Sequence, residues 1–98
     1  MVLIVESDVF TGWFEALRDG QAKARILVRI RRLAAGNAGD AKPVGAGISE
    51  MRISYGPGYR VYYKQRGKEL VILLSGGDKS TQASDISAAK KIADQWKG

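Results

Sequence analysis

Hydrophobic spacing in the first part of the chain predicts one strand followed by two helices. Residues 2–5 form a short, mostly β-branched apolar run that is typical of a buried strand. Ser7 and Asp8 then offer a helix N-cap. Aromatic and leucine side chains recur at helical spacing, which predicts a helix from about Asp8 to Arg18 with one apolar stripe. A second amphipathic pattern predicts a helix from about Gln21 to Ala35.

The second part of the chain has the two-residue alternation of strands. Polar and apolar side chains alternate over Ile48–Tyr55 and again over Tyr59–Gln65, which predicts two adjacent strands with one solvent-exposed face. Residues 69–75 are mainly apolar on both faces and predict a central strand covered on two sides. Gly76-Gly77 is expected to end that strand.

The remaining segments complete a prediction of fold class. Residues 36–47 contain four Gly and one Pro without apolar periodicity, and they are expected to form a loop. A last helix is predicted after a cap at Ser84 or Asp85. The order β-α-α-β-β-β-α predicts an α+β fold, an antiparallel sheet of about four strands with helices. At this length we expect a single domain over residues 1–98.

Composition narrows the chemistry that this chain can perform. It contains no Cys and no His, which excludes thiol nucleophiles, imidazole acid-base pairs, disulfides and nearly all transition-metal sites. The net charge of +6 favours an anionic partner such as nucleic acid or an acidic protein. The longest apolar run is far short of the ~20 residues that span a bilayer. We therefore expect a cytoplasmic protein with no membrane partner and no cofactor.

Several charged side chains on the two alternating strands could handle phosphate. Arg52 and Arg60 are predicted on the same exposed face, where guanidinium groups can bind phosphate oxygens in bidentate fashion. Glu50 on that face is either a general base or a salt-bridge partner. Tyr62 is predicted beside Arg60, where its ring could stack on an RNA base. The alternative for the arginines is an ordinary solvated cross-strand pair with the glutamate.

Other basic residues are candidates for binding. Lys79, in the polar loop after the last strand, could be a phosphate ligand or a proton donor, or simply be solvated. Two further candidates for RNA contact are Lys42 and Lys64. The second helix carries a stripe of three arginines, for which an rRNA contact, an acidic antitoxin segment and a solvated face are alternatives. The stripe consists of Arg25, Arg29 and Arg32.

Five segments together resemble the RelE/ParE toxin superfamily, and most closely its HigB-type addiction-module killer proteins. These segments are Phe10 to Leu17, Arg25 to Ile30, Gly47 to Arg52, Gly58 to Tyr63, and Gly76 to Gln82 with Asp85-Ile86. The resemblance implies a RelE-like fold and the toxin half of a bacterial type II toxin-antitoxin pair. RelE and HigB members are messenger-RNA endonucleases that act at the ribosomal A site, whereas ParE members poison DNA gyrase.

The resemblance also implies roles for individual residues. Arg60 matches the arginine that contacts the scissile phosphate in RelE-type nucleases, Arg52 matches a catalytic lysine on the preceding strand, and Lys79 lies where another catalytic basic residue follows the last strand. Glu50 replaces a second lysine of RelE, and Asp85 lies near the position of its catalytic tyrosine. The histidines of HigB nucleases have no counterpart here.

The expected function follows from this resemblance. It implies a metal-independent endoribonuclease that acts on messenger RNA at the ribosome and inhibits translation. An antitoxin, expected to be a helix-turn-helix DNA-binding protein, would neutralise it. The alternatives are a ParE-like gyrase inhibitor without catalytic residues and a non-toxic nucleic-acid-binding domain.

Overall fold

The computed structural model describes residues 2–96 and has an α+β fold, as predicted. One five-stranded sheet has three helices packed against it. The elements in chain order are β1 (Leu3–Glu6), α1 (Asp8–Ala16), α2 (Gly20–Ala34), β2 (Ala41–Gly45), β3 (Ile48–Ile53), β4 (Tyr59–Arg66), β5 (Leu70–Gly77) and α3 (Gln82–Gln95). Among these residues no helix is long and apolar enough to cross a membrane.

The sheet is mixed, with strand order β1-β5-β4-β3-β2. Strands β2 to β5 form an antiparallel meander, and β1 joins the far side of β5 in parallel, with Leu3 opposite Leu70. Strand β5 is therefore flanked on both sides, in agreement with its apolar pattern.

The prediction of about four strands missed β2. Residues 36–47 were expected to be a loop, but Ala41–Gly45 pairs with β3 and forms an edge of the sheet. An edge strand tolerates Pro43 because one side of it needs no ladder hydrogen bonds. The register shifts between Pro43 and Gly45, and this irregularity removes the alternation from which a strand is predicted.

Helices α1 and α2 confirm the two predicted helices with small changes at their ends. The Ser7 hydroxyl accepts a hydrogen bond from the Phe10 backbone N–H at 3.1 Å and donates one to the Leu74 carbonyl at 2.6 Å, which ties the start of α1 to β5. Helix α1 ends at Ala16 rather than at Arg18, because Leu17 has an extended backbone.

Apolar side chains form two cores, one on each face of the sheet. Helices α1 and α2 contribute Phe10 and Ile26 to the first core, which includes Tyr63 of β4. Helix α3 packs on the opposite face, where Ala89 covers Tyr62 and its neighbours. The prediction that β3 and β4 have a solvent-exposed face is therefore wrong for much of that face, because α3 covers it.

Two glycines at the end of β5 allow helices to approach the sheet closely. A Cβ atom on Gly76 would lie 2.2 Å from the Trp13 ring, and one on Gly77 would lie 1.7 Å from the Asp85 carboxylate. The strand includes both glycines and ends at Gly77, so it stops at the predicted pair, two residues beyond the predicted end at Ser75. These positions therefore serve close packing on opposite faces of the sheet.

Candidate active site: a basic cluster around a buried carboxylate

Glu50 lies at the middle of β3 and is fully buried. Its neighbours directly across the sheet are Lys42 on β2 and Tyr62 on β4. Arg52 follows it on the same face of β3, and Arg60 lies opposite Arg52 on β4. Sheet register therefore brings three cations to one carboxylate.

The distances show that all three cations form ion pairs with this carboxylate. Arg60 Nε lies 3.3 Å from Oε1 of Glu50, and Arg52 Nε lies 3.6 Å from Oε2. Lys42 Nζ is 3.9 Å from Oε2. Exposed fractions of 11% for the Arg60 side chain, 37% for Arg52 and 51% for Lys42 show increasing access to solvent.

Two uncharged side chains complete the surroundings of Glu50. Gln82, the first residue of α3, donates its amide N–H to Oε1 at 2.6 Å, and the Tyr62 hydroxyl donates to the same oxygen at 3.4 Å. Within residues 2–96, Oε2 and the Nε atoms of Arg52 and Arg60 have no aligned hydrogen bond. Proximity of opposite charges therefore holds the arginines more than directed hydrogen bonding does.

Lys79 and the Arg60 guanidinium both lie beside Gly58, in the segment between β3 and β4. Lys79 begins a short 3-10 helix (Lys79–Thr81) that is capped by the Asp78 carboxylate, which accepts from the Ser80 N–H at 2.8 Å. A Cβ atom on Gly58 would lie 3.6 Å from Cβ of Lys79 and 3.9 Å from Nη1 of Arg60. The lysine is exposed. We refer to Lys42, Arg52, Arg60 and Lys79 as the basic cluster.

The basic cluster is suited to binding an anion from solution. Asp40 also pairs with this cluster, since its Oδ1 lies 3.9 Å from Arg52 Nε. Glu50 is paired with the Nε atoms of both arginines, and Nη1 of Arg60 lies 3.5 Å from the Gly58 carbonyl oxygen. A phosphate could accept hydrogen bonds from guanidinium groups presented in this way.

The prediction that Tyr62 stacks on a base is wrong for this conformation. Its side chain is fully buried beneath α3 and forms part of the second core. Burial raises the pKa of the Tyr62 phenol above its ordinary value, and the nearby Glu50 charge raises it further. Tyr62 is therefore a neutral core residue that donates a hydrogen bond to Glu50.

The two lysines predicted to contact RNA lie at different places. Lys42 belongs to the basic cluster, on strand β2 rather than on a loop. Lys64 is four residues beyond Arg60 on β4, about 13 Å along the strand. It lies beside Gly47, where an added Cβ would be 3.4 Å from its Cε. The structure does not bring Lys64 to the basic cluster.

The arginine stripe of α2 lies on the other face of the sheet. The Arg29 guanidinium donates to the Arg52 carbonyl and, at 3.0 Å, to that of Ala38, so it connects α2 to the strand edge. Arg25 lies over the Tyr55 ring at 4.7 Å, which is a cation-π contact. Arg32 is exposed. The three arginines therefore have different surroundings.

Sequence reasoning named Glu50 as a general base or salt-bridge partner, but it did not predict the burial of Glu50 or its contact with Gln82. Gln82 lies before the cap predicted at Ser84 or Asp85, and the 32 positions that separate it from Glu50 leave no local signal of their contact. Among residues 2–96, no cluster of three or more carboxylates could hold a metal ion.

Comparison with known proteins places the chain in a toxin-like class. Residues 12–97 match the family model described as phage derived protein Gp49-like (DUF891), a family associated with RelE-like toxins of addiction modules. The chain is also 54% identical over 86 residues to an uncharacterized protein of Haemophilus influenzae. The aligned segment covers 88% of this chain and 87% of that protein. The chain belongs to the Gp49-like family.

Proposed function

We propose that this protein is the toxin of a type II toxin-antitoxin pair and that it cleaves messenger RNA on the ribosome without a metal ion. The observation that carries the proposal is the convergence of Arg52, Arg60 and Lys79 at one end of the sheet. Membership of the Gp49-like family supports the toxin-like class. Its partners in this role are the ribosome, messenger RNA and an antitoxin.

The chemistry assigned to the basic cluster is transfer of a phosphoryl group from the 5′ oxygen of one nucleotide to the 2′ oxygen of its neighbour in RNA. The 2′-hydroxyl loses its proton to solvent water as its oxygen forms a bond to the adjacent phosphorus. The bond from phosphorus to the 5′ oxygen breaks, a proton goes to that leaving oxygen, and a 2′,3′-cyclic phosphate remains. Arg52 and Arg60 stabilise the negative charge that develops on the phosphorane. Lys79 is exposed and acts as a further phosphate ligand or as the proton donor.

Glu50 acts in this proposal as an internal counter-charge rather than as the general base. Its side chain is inaccessible to solvent, and Oε1 already accepts hydrogen bonds from Gln82 and Tyr62. A base that removes the proton from a 2′-hydroxyl must reach the substrate. Glu50 holds the arginines in place instead.

The proposal is tested by expressing the wild type and Arg60→Ala in a bacterial host and sequencing new 5′ ends of messenger RNA. We expect cuts within translated frames that require ongoing translation, and a fall of about 100 to 1000-fold in cleavage for Arg60→Ala. Arg18→Ala is the matched control, because Arg18 is an exposed arginine in the segment between α1 and α2. Circular dichroism verifies that both variants fold.

Each other outcome refutes the proposal and favours one of the alternatives. Full cleavage by folded Arg60→Ala removes the assigned role of the arginine. Growth arrest without new RNA ends, retained when Arg60 and Lys79 are both replaced by Ala, indicates a gyrase poison, which a supercoiling assay tests directly. Normal growth of cells that accumulate the folded wild type indicates a non-toxic nucleic-acid-binding domain.

A further inference from the structure

The two edges of the sheet differ in how they are protected from pairing with a further strand. Strand β2 forms one edge, where Pro43 lacks an N–H and the register shift between Pro43 and Gly45 interrupts the ladder. Strand β1 forms the other edge, and Leu3–Glu6 contains no proline, no basic residue and no register shift. Proteins usually block an exposed edge with such features. The edge at β1 is therefore open to another strand.

The free hydrogen-bonding groups of β1 belong to alternate residues. The N–H groups of Leu3 and Ser7 donate to carbonyls on the β5 side of the strand, at 2.8 Å and 2.9 Å. Because backbone groups alternate in direction along a strand, those of Ile4 and Glu6 point away from β5. The Val2 N–H also points away from β5, but it donates to the carbonyl of the last residue of α2 at 3.0 Å. Ile4 and Glu6 are therefore the residues with which a further strand can pair.

An exposed leucine lies beside these free backbone groups. The Leu3 side chain is 63% exposed, the largest fraction among the exposed large hydrophobic residues of the described segment 2–96. It lies on the same face of β1 as Val5, whose side chain packs against the second core. A strand added at this edge would remove Leu3 from water while it satisfies the backbone groups of Ile4 and Glu6.

We propose that β1 pairs in antiparallel fashion with β1 of a second copy of this chain, around a two-fold axis at Val5. Ile4 then exchanges two backbone hydrogen bonds with the partner's Glu6, and the symmetry repeats the exchange on the other side of the axis. Leu3 packs diagonally against the partner's Val5. The two five-stranded sheets become one continuous sheet.

The distribution of charge along β1 favours a second copy as the occupant of this edge. Glu6 and Asp8, at one end of the strand, are exposed. The last turn of α2 lies at the other end of the strand and carries the exposed Arg31 and Arg32. Antiparallel pairing brings the acidic end of each copy to the basic end of the other. This local attraction opposes the repulsion between two chains that each have a net charge of +6.

Sedimentation velocity of the purified full chain measures this self-association. We expect a dimer of twice the 10.6 kDa mass of one chain, with a Kd on the order of 10 μM, because so short a strand forms an interface at the small end of the specific range. Leu3→Lys places a charge in the contact and should raise the Kd at least about 10-fold. Leu27→Lys is the matched control, since Leu27 is an exposed leucine on α2, and it should retain the wild-type Kd.

A second pair of variants tests the backbone contribution. Glu6→Pro removes an N–H that points away from β5, and proline is tolerated at such a position of an edge strand. It should raise the Kd at least about 10-fold. Glu6→Ala removes the same carboxylate but keeps the N–H, so its Kd should rise less than that of Glu6→Pro. Circular dichroism verifies that each variant folds.

Single cysteines test the register, since the chain itself contains no Cys. On the proposed axis the Cα atoms of Val5 and the partner's Val5 form a non-hydrogen-bonded pair about 4.5 Å apart, which is within disulfide range. Val5→Cys should therefore form a disulfide-linked dimer when diamide is added as the oxidant. Leu3→Cys is the control, because its side chain is more exposed but the two copies of residue 3 lie about 13 Å apart along the strands.

Three results would overturn the inference. The first is a wild type that sediments as a monomer at about 1 mM, which would leave the edge to a strand of a different protein. The second is association that Leu3→Lys and Glu6→Pro weaken no more than Leu27→Lys does. The third is a Leu3→Cys protein that forms the linked dimer as fast as Val5→Cys.

These measurements are independent of the proposed function. They contain no RNA, and the strands that carry the arginines and lysine around Glu50 lie on the far side of β5 from the proposed contact. A dimer with the proposed register would support this inference even if the protein cleaved no messenger RNA. Cleavage by a protein that remains monomeric would overturn this inference and leave the proposed function intact.

Discussion

Replacing the buried Glu50 with Gln should destabilise the protein far more than replacing Lys42, the most exposed cation paired with it. The substitution keeps the shape of the side chain and an oxygen that can accept from Gln82, but it removes the negative charge. Arg52 and Arg60 then face each other directly across β3 and β4 without their shared counter-ion. Like charges in opposed positions of a sheet repel.

The magnitude follows from burial and distance. A unit charge pair at the 3.3 Å separation of Glu50 and Arg60 is worth about 5 kcal/mol at an effective dielectric constant near 20. Removing one partner of a buried pair costs about 3–5 kcal/mol. Because Arg52 retains 37% of its exposure, water compensates part of the loss, and we expect about 3 kcal/mol. For a chain of this size that corresponds to a fall in Tm of about 12–24 °C.

Thermal unfolding followed by circular dichroism measures this effect. Lys42→Ala is the comparison, since Lys42 is half-exposed and 3.9 Å from the same carboxylate, and its loss should cost less than about 1 kcal/mol. A Glu50→Gln protein within about 1 kcal/mol of the wild type would refute the view that this carboxylate holds the basic cluster together. A similar loss for both variants would refute the ranking by burial.

Further variants test other parts of the structure by thermal unfolding. Gly77→Ala should lower the free energy of unfolding by about 1–3 kcal/mol because its Cβ meets the Asp85 carboxylate. Adding Asp85→Ala should recover part of that loss, and no recovery would show that the two side chains do not clash. Tyr62→Phe should keep a free energy of unfolding within about 1 kcal/mol of the wild type, and Tyr62→Ala should lower it by about 3–5 kcal/mol. Unchanged stability of the Ala variant would show that the ring does not belong to the core. Asp19 accepts from the N–H groups of Ala22 and Gln21 at the start of α2, and these hydrogen bonds, with that from a tyrosine hydroxyl, lower its pKa below 3.8. Asp19 therefore stabilises the fold fully above pH 3.8, and this stabilisation is lost as the pH falls through the lower pKa of the folded state. Asp19→Asn should have a lower Tm than the wild type at neutral pH, and its Tm should change less with pH in acid.

Periodicity predicted most of the fold because most elements bury one regular face. The stripe of α1 and the alternation of β4 each follow from side chains that point toward a core. Strand β2 has no such pattern, since Pro43 and a shift in register interrupt it. The parallel pairing of β1 with β5 could not be predicted, because the pattern of an apolar run does not identify its neighbour in the sheet.

The site was predictable only where it depends on the two-residue period of strands. That period places Arg52 and Arg60 on one face of the sheet, as the sequence indicates. The burial of Glu50 and Tyr62 depends on α3, which covers this face from a distant part of the chain. Alternation specifies which side chains share a face but not whether a helix covers them.

Pairing of β1 with β5 links the completion of the fold to the order of synthesis. Ser7, which precedes α1, donates its hydroxyl to the Leu74 carbonyl, 67 positions further along the chain. The first strand and helix therefore leave the ribosome long before their partners, and Gln82 reaches Glu50 later still. A nascent chain that ends before α3 has neither a finished carboxylate site nor a covered sheet. Translation products that end before α3 should therefore be inactive and rapidly degraded, and the domain becomes complete only once α3 has been synthesised.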